Sequence, residues 1–151
     1  MRISVSSDMD KPVARALVAA LRERGHEVTA HGALSPGDDP EWAVCSAAAA
    51  REVADGDADQ AIVCCWTGTG ASIAANKVPG VRAALCTDAY TATGARRWND
   101  ANVLALSLRL TSEPLLTEIL DAWFAGEPSQ EPDSRANVEK VRRQDEARSA
   151  H

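Results

Sequence analysis

A cysteine and the glycine-rich loop after it have the clearest chemical potential in this sequence. Cys65 stands at the end of an apolar run, and the loop consists of Gly68, Thr69, Gly70, Ala71 and Ser72. Glycines let backbone N–H groups turn inward, and a helix start adds partial positive charge, so the loop suits an anion or a developing oxyanion. The same amides favour a thiolate at Cys65, which suits a base or a nucleophile. Glycine pairs also occur in ordinary tight turns, so the loop alone assigns no function.

Two other polar residues are candidates for the site at Cys65 and its loop. Thr67 can donate a hydroxyl hydrogen bond to a substrate oxygen, and Asp8 can orient or deprotonate a substrate hydroxyl. Two nucleotide-binding motifs are excluded. The loop lacks the three-glycine dinucleotide fingerprint with its later acidic residue, and it lacks the Gly-Lys-Ser/Thr ending of a P-loop.

Alternating strand and helix patterns predict the scaffold that positions these residues. The predicted strands are 2–6, 26–30, 61–65, 81–86 and 102–106. The predicted helices are 11–24, 42–54, 71–77, 89–98 and 113–124. This alternation predicts an α/β chain with a three-layer Rossmann-like fold and a five-stranded parallel sheet, in which 61–65 is a central strand. Ligands bind at the carboxyl ends of such strands, where Asp8, Cys65 and Asp88 fall.

Composition excludes several classes of protein. The 151 residues carry a formal net charge of −6 without a basic stripe, which argues against nucleic-acid or anionic-membrane binding. The start lacks the features of a signal peptide, and no apolar stretch is long enough to span a bilayer, so we expect a cytoplasmic protein. The four cysteines lack the paired spacing of a zinc site, and we expect reduced thiols and no metal. Cys64 should face the opposite side of the sheet from Cys65 and belong to the core.

The composition changes near the C-terminus. Residues 1–126 are predicted to form the α/β domain, and residues 127–151 a polar linker and a helical tail. Val138 and Val141 lie three positions apart in the tail and could dock on a neighbouring subunit, although a solvated helix fits equally well.

Three stretches of the chain resemble a known family. They are 65–77 (CWTGTGASIAANK), 80–86 (GVRAALC) and 99–106 (NDANVLAL). Together with Ser7, Asp8 and Arg109, they give a similarity from residue 1 to about residue 125. The sequence resembles the type B ribose-5-phosphate isomerases and galactose-6-phosphate isomerases.

The resemblance implies a sugar-phosphate aldose–ketose isomerase that uses no metal or cofactor and works through a cis-enediolate. By position, Cys65 would move the proton between C1 and C2, and Thr67 would assist the proton transfers between oxygens. The amides of residues 68–72 would stabilise the enediolate.

The resemblance also implies a homodimer or a dimer of dimers, with each site built at a subunit interface. Asn99 would bind substrate from the partner subunit. Arg109 and Arg135 would bind the phosphate, because a guanidinium fork matches phosphate geometry.

The sequence departs from the family pattern at several positions. The family usually has histidine directly after the first aspartate and directly before the Asn-Asp pair, where this chain has Met9 and Trp98. The second histidine is thought to open the sugar ring, and neither Met nor Trp exchanges protons near neutral pH. We keep Met9 and Trp98 among the predicted substrate-binding residues. The other departures are Asp39 for a tyrosine, Trp66 for a glycine, Ala136 for a histidine and Glu139 for a second arginine.

These departures favour a substrate that is already open-chain. A tetrose 4-phosphate is such a sugar, because the oxygen that would close a five-membered ring carries the phosphate. The bulky Trp66 and Trp98 also suit a shorter substrate. Two alternatives remain open: an ordinary ribose 5-phosphate isomerase in which Asp8 or water opens the ring, and a non-catalytic homologue that binds a sugar phosphate.

The remaining aromatic and histidine residues receive no chemical role. Trp42 and Trp123 lie on predicted helix faces and are interpreted as packing residues. His26 and His31 lie at the ends of the second predicted strand, outside the motif positions.

Overall fold

The computed structural model describes residues 1–150 and has a parallel sheet between two layers of helices. The strands are β1 Arg2–Ser7, β2 Glu27–Gly32, β3 Gln60–Cys65, β4 Ala83–Leu85 and β5 Val103–Ser107. The helices are α1 Pro12–Glu23, α2 Trp42–Ala54, α3 Thr69–Asn76, α4 Ala89–Asn99, α5 Glu113–Ala125 and α6 Pro132–Ser149. The predicted three-layer Rossmann-like fold is therefore confirmed.

The strand order brings three chain segments to one edge of the sheet. The order is β2-β1-β3-β5-β4, and every pairing is parallel, so β3 is central as predicted. Ser7 pairs with Cys64, and Cys65 pairs with Ser107. The segments that follow β1, β3 and β5 therefore emerge side by side at the carboxyl edge.

The two faces of the sheet have different cores. Helices α1, α4 and α5 cover one face with large side chains such as Leu17 and Trp123. Helices α2 and α3 cover the other face, where alanines dominate and the two helices pack closely. Since successive strand residues point to opposite faces, Cys64 joins the first core and Cys65 the second, which confirms the prediction for Cys64.

The predicted bounds of two elements, β4 and α3, were wrong. Strand β4 spans only Ala83–Leu85 instead of 81–86, because it lies at the edge of the sheet and side-chain amides bind its start. The N–H of Arg82 donates to Asn102 Oδ1 at 2.8 Å, and the Asn76 amide bonds both backbone groups of Ala83. Helix α3 begins at Thr69, two residues before the predicted start.

The C-terminal segment packs on its own chain. The Ser129 N–H donates to the Arg97 carbonyl at 2.7 Å, and the Gly80 N–H donates to Asp145 Oδ2 at 2.9 Å. Helix α6 therefore lies along the amino edge of the sheet, where Val138 and Val141 border a cavity of about 270 Å³. Within residues 1–150, no helix has both the length and the apolar character needed to cross a membrane.

Candidate active site

Cys65 lies at the end of β3, and its sulfur meets the first turn of α3. Its residue exposure is 5%, and the Ala71 N–H donates to its Sγ at 3.4 Å. The first N–H groups of a helix have no acceptor inside the helix, so they are available to other groups. In this site one of them, the N–H of Ala71, donates to the Cys65 sulfur.

Gly68 makes the close approach of α3 to the sheet possible. It is the N-cap of α3, with a left-handed backbone at φ 77°. A Cβ there would lie 2.5 Å from Leu85 Cδ1 and 2.9 Å from the carbonyl carbon of Leu106. Only glycine therefore meets both the backbone and the space requirements of this turn.

The residues around Gly68 are held by hydrogen bonds. The Trp66 carbonyl accepts from Ser107 Oγ at 2.9 Å and from the Arg109 N–H at 3.0 Å. The hydroxyls of Thr67 and Thr69 lie 2.7 Å apart, and both residues are exposed. A solvent-facing hydroxyl pair thus lies in the loop between Cys65 and Ala71, and the Arg109 backbone is bonded to the same loop.

Asp8 follows β1 at the same edge and has an unused acceptor. Within the described residues, its Oδ1 is shielded from solvent and has no hydrogen-bond partner. Burial raises the pKa of Asp8 above its ordinary value, and its own backbone N–H opposes this shift. Leaving such an oxygen unpaired costs free energy, and the oxygen remains able to accept a further hydrogen bond.

A cavity of about 470 Å³ opens in front of Asp8. Met9, which is 37% exposed, lines it together with Pro40, Glu41, Trp42 and Ala43. The cavity joins the end of β1 to the start of α2, which places Met9 at the same edge as Cys65.

Trp42 belongs to this region, although its sequence pattern indicated only packing. It is 45% exposed, and its ring lies on Gly70, where a Cβ would be 2.9 Å from Trp42 Cε3. Its one sequence signal is its place two residues after Pro40, where the family has a tyrosine-proline pair. Trp123, in contrast, is fully buried, and its Nε1–H donates to Gln60 Oε1 at 2.8 Å, so the packing interpretation is confirmed for Trp123 alone.

Most predicted site residues thus gather at the carboxyl edge of the sheet, and we name them the carboxyl-edge group. Its members are Asp8, Met9, Cys65, Thr67, Gly68, Thr69, Gly70, Ala71, Ser72 and Arg109. Short backbone hydrogen bonds tie its segments together, including one from the Leu108 N–H to the Cys65 carbonyl at 3.0 Å. The arrangement combines a sulfur, inward amides, a hydroxyl pair and a carboxylate, which suits proton transfer next to an oxyanion.

The other three predicted residues lie elsewhere, and we name Trp98, Asn99 and Arg135 the amino-edge group. Helix α4 starts after β4 at the carboxyl edge and ends before β5 at the amino edge. Arg135 and Trp98 border a cavity of about 600 Å³, and Asn99 borders the neighbouring cavity of about 270 Å³. One chain therefore does not bring these residues to its own Cys65.

The other thiols are structural. Cys45, Cys64 and Cys86 are buried free cysteines. Burial raises the pKa of all three thiols, that of Cys86 to about 12, so they stay protonated near neutral pH. Among residues 1–150, no cluster of three His, Cys, Asp or Glu side chains could hold a metal ion.

Known proteins share this architecture over nearly the whole chain. Residues 3–141 match the family model described as Ribose/Galactose Isomerase. The chain is 42% identical to ribose-5-phosphate isomerase B of Escherichia coli over 113 residues, 74% of each protein. It is 37% identical to D-erythrulose-4-phosphate isomerase of Pectobacterium atrosepticum over 121 residues, 80% of this chain and 79% of that protein.

A solved structure agrees with these relatives. The structure of ribose-5-phosphate isomerase B from Clostridium thermocellum matches with a TM-score of 0.88 and 36% identity. The match covers 97% of this chain and 99% of that one. The chain therefore belongs to the ribose/galactose isomerase family and is a sugar-phosphate aldose–ketose isomerase.

Proposed function

We propose that this chain interconverts an open-chain four-carbon ketose phosphate and its aldose, such as erythrulose 4-phosphate and erythrose 4-phosphate. The observation that carries the proposal is the contact between the Ala71 N–H and Cys65 Sγ at 3.4 Å. It puts a basic sulfur and the amides of a helix start within one turn of each other. A hydrogen on the carbon next to a carbonyl is acidic only when the resulting oxyanion is stabilised. Cys65 supplies the base that removes this hydrogen, and the amides at the start of α3 stabilise the oxyanion.

Cys65 acts as the base of the reaction. Its thiolate takes a proton from C1 of the ketose, and the electron pair forms the C1–C2 double bond while the C2 oxygen becomes negative. The first-turn amides of α3 stabilise this cis-enediolate. The Cys65 thiol then returns the proton to C2, and the C1 oxygen becomes the aldehyde oxygen of the aldose.

The oxygen protons move through the hydroxyl pair. Thr67 and Thr69 lie 2.7 Å apart, so one hydroxyl donates to the other while a second proton remains for the substrate. This pair moves the proton from the C1 hydroxyl to the C2 oxygen, which balances the reaction. Asp8 accepts a hydrogen bond from a substrate hydroxyl through its unpaired Oδ1.

The four-carbon substrate class follows from the residues that replace histidine. Trp98 and Met9 cannot protonate a ring oxygen, so a cyclic sugar would be a poor substrate. Within residues 1–150 the two histidines have other contacts: His26 packs on Phe124, and His31 lies 2.8 Å from Glu52 Oε1. The similarity to a D-erythrulose-4-phosphate isomerase supports the same class.

A second copy of the chain completes the site in this proposal. Arg109 contributes a phosphate ligand from the carboxyl edge, and the partner contributes Asn99 and Arg135 from its amino edge. A homodimer, or a dimer of dimers, accounts for predicted site residues that stand at opposite edges of one sheet. The segment 127–150 then carries Arg135 to the partner's site.

Proton exchange tests the proposal. In deuterium oxide, wild-type protein should convert erythrulose 4-phosphate and place deuterium on the reacting carbons, and it should act poorly on ribose 5-phosphate. Cys65→Ala should slow both conversion and exchange by about 10³-fold or more, because the general base is lost. Nuclear magnetic resonance of the sugar carbons gives both rates.

Cys64→Ala is the matched control, because the neighbouring thiol is buried on the other face of the sheet. It should lower the thermal midpoint while exchange continues. A protein that prefers ribose 5-phosphate would contradict the four-carbon class. Full exchange in Cys65→Ala would remove Cys65 from the chemistry.

A further inference from the structure

Trp42 has an unusual position for a residue of its size. It is the first residue of α2, and its ring rests on Gly70 in the first turn of α3. A Cβ at Gly70 would lie 2.9, 3.0 and 3.3 Å from Trp42 Cε3, Cδ2 and Cε2. Any larger residue at 70 would therefore push the indole away.

The indole stands between two parts of the candidate site. Gly70 directly precedes Ala71, whose N–H contacts the Cys65 sulfur. Trp42 also lines the cavity of about 470 Å³ that Asp8 and Met9 share. The Trp42 side chain thus borders both the glycine-rich loop of residues 68–72 and the cavity in front of the unpaired Asp8 oxygen.

Packing alone does not account for Trp42. The contact between α2 and α3 is already made by small buried residues, Ala49 and Ala50 on one helix and Ala71 and Ala75 on the other. A tryptophan that fills a core is covered, as Trp123 is at 0% exposure, whereas Trp42 is 45% exposed.

We infer that Trp42 is a specificity-determining residue that limits the carbon-chain length of the sugar phosphate. The inference rests on the proposed isomerase function and deepens it. The indole is rigid and is backed by the α3 backbone, so it cannot yield to a longer chain. A sugar with one more CHOH unit must displace the indole or lose the hydrogen bond to Asp8.

Two open-chain ketose phosphates test this without any ring-opening step. Erythrulose 4-phosphate and ribulose 5-phosphate differ by one CHOH unit, and neither closes a five-membered ring: the first has too few carbons beyond its carbonyl, and in the second the phosphate occupies the oxygen that would close it. Trp42→Ala should raise kcat/KM for ribulose 5-phosphate relative to erythrulose 4-phosphate by about tenfold or more, mainly through a lower KM for the longer sugar. Trp42→Phe should give a smaller shift in the same direction.

Val44→Ala is the matched control, since Val44 is 41% exposed in the same helical turn and does not line the cavity. In Val44→Ala, the ratio of kcat/KM for ribulose 5-phosphate to kcat/KM for erythrulose 4-phosphate should equal that of the wild type. Equal losses on both sugars in Trp42→Ala would overturn the inference and make Trp42 structural. If circular dichroism shows that Trp42→Ala is unfolded, an unchanged ratio in Trp42→Phe overturns it in the same way.

Failure of this inference is distinguishable from failure of the proposed function. The wild-type preference between the two sugars tests the function, because a wild type that favours ribulose 5-phosphate contradicts a four-carbon site. The change of the ratio on substitution tests Trp42. If the wild type is specific for erythrulose 4-phosphate but the ratio of the two kcat/KM values is unchanged in Trp42→Ala and Trp42→Phe, the inference about Trp42 is wrong and the proposed function stands.

Discussion

The two edges of the sheet hold their predicted site residues by different means. At the carboxyl edge, strand register fixes the positions, since Cys65 is paired with Ser107 in the centre of the sheet. At the amino edge, Trp98 and Asn99 occupy the end of α4, and Arg135 stands on α6, a helix with no buried residue. The comparison shows that one chain orders Cys65 and its loop, whereas Trp98, Asn99 and Arg135 lie at the opposite edge, from which the proposed dimer would supply them to a second copy.

A tryptophan rests on a helical glycine in each region. At the carboxyl edge Trp42 lies on Gly70, and on α4 Trp98 lies on Gly94, where a Cβ would be 2.8 Å from Trp98 Cζ3. The Trp98 ring extends back along α4 to meet Tyr90 edge-on, with ring centroids 6.3 Å apart. Neither glycine has a positive φ, so both are needed for space and not for backbone freedom.

The largest expected effect comes from a complementation experiment. Cys65→Ala should lower activity by about 10³-fold or more and Asn99→Ala by about 10²-fold or more, because each removes one half of every proposed composite site. When the two variants are unfolded and refolded together, half of the dimers are mixed, and each mixed dimer has one intact site. Activity should therefore recover to about a quarter of the wild-type value. The rate of erythrulose 4-phosphate conversion measures the recovery.

The control is a mixture of Cys65→Ala with the double variant Cys65→Ala/Asn99→Ala, which has no intact site in any combination. It should stay inactive. If the first mixture also stays inactive although mass spectrometry shows mixed dimers, the two edges do not cooperate across subunits.

A smaller effect is expected when Trp98 is replaced by histidine. Trp98→His supplies a group that exchanges protons near neutral pH, so ring opening should become possible. We expect kcat/KM for ribose 5-phosphate to rise by about tenfold, and the value for ribulose 5-phosphate to change much less. A coupled assay on each sugar measures the two values.

Trp98→Phe is the control, since it also uncovers Gly94 but adds no ionisable group. An equal gain on ribose 5-phosphate in both variants would mean that space, and not proton transfer, limits the reaction with cyclic sugars.

The sequence predicted what depends on neighbouring residues. Strand and helix alternation predicted all five strands, and it correctly put Cys65 and its glycine-rich turn at the carboxyl edge of the sheet. It could not predict the contact of Trp42 with Gly70, because that contact depends on how closely α2 and α3 pack on an alanine layer. It began β4 too early because, just before the strand, the Arg82 N–H donates to the Asn102 side chain and not to a strand carbonyl.

The smallest expected effect concerns the unpaired carboxylate of the carboxyl-edge group. Burial raises the pKa of Asp8 above the ordinary 3.8, so the folded state binds this proton more tightly than the unfolded state. Stability is therefore lost as pH rises from the unfolded value through the folded value, and the loss persists at neutral pH. The ionised, desolvated Asp8 carboxylate thus destabilises the fold, and the same group is the acceptor that the proposed site offers to substrate.

Asp8→Asn should separate these two roles. At pH 7 it should raise the thermal midpoint by about 1–3 °C, because the desolvated charge is gone, and the gain should vanish below pH 3.8. Asp8→Asn should also lower kcat/KM about tenfold, because an amide is a weaker acceptor than a carboxylate.

Asp10→Asn is the control, since Asp10 is exposed and pairs with Arg15 at 2.6 Å, and this variant should give no gain in stability. A lower midpoint for Asp8→Asn at pH 7 would mean that the Asp8 carboxylate supports the fold.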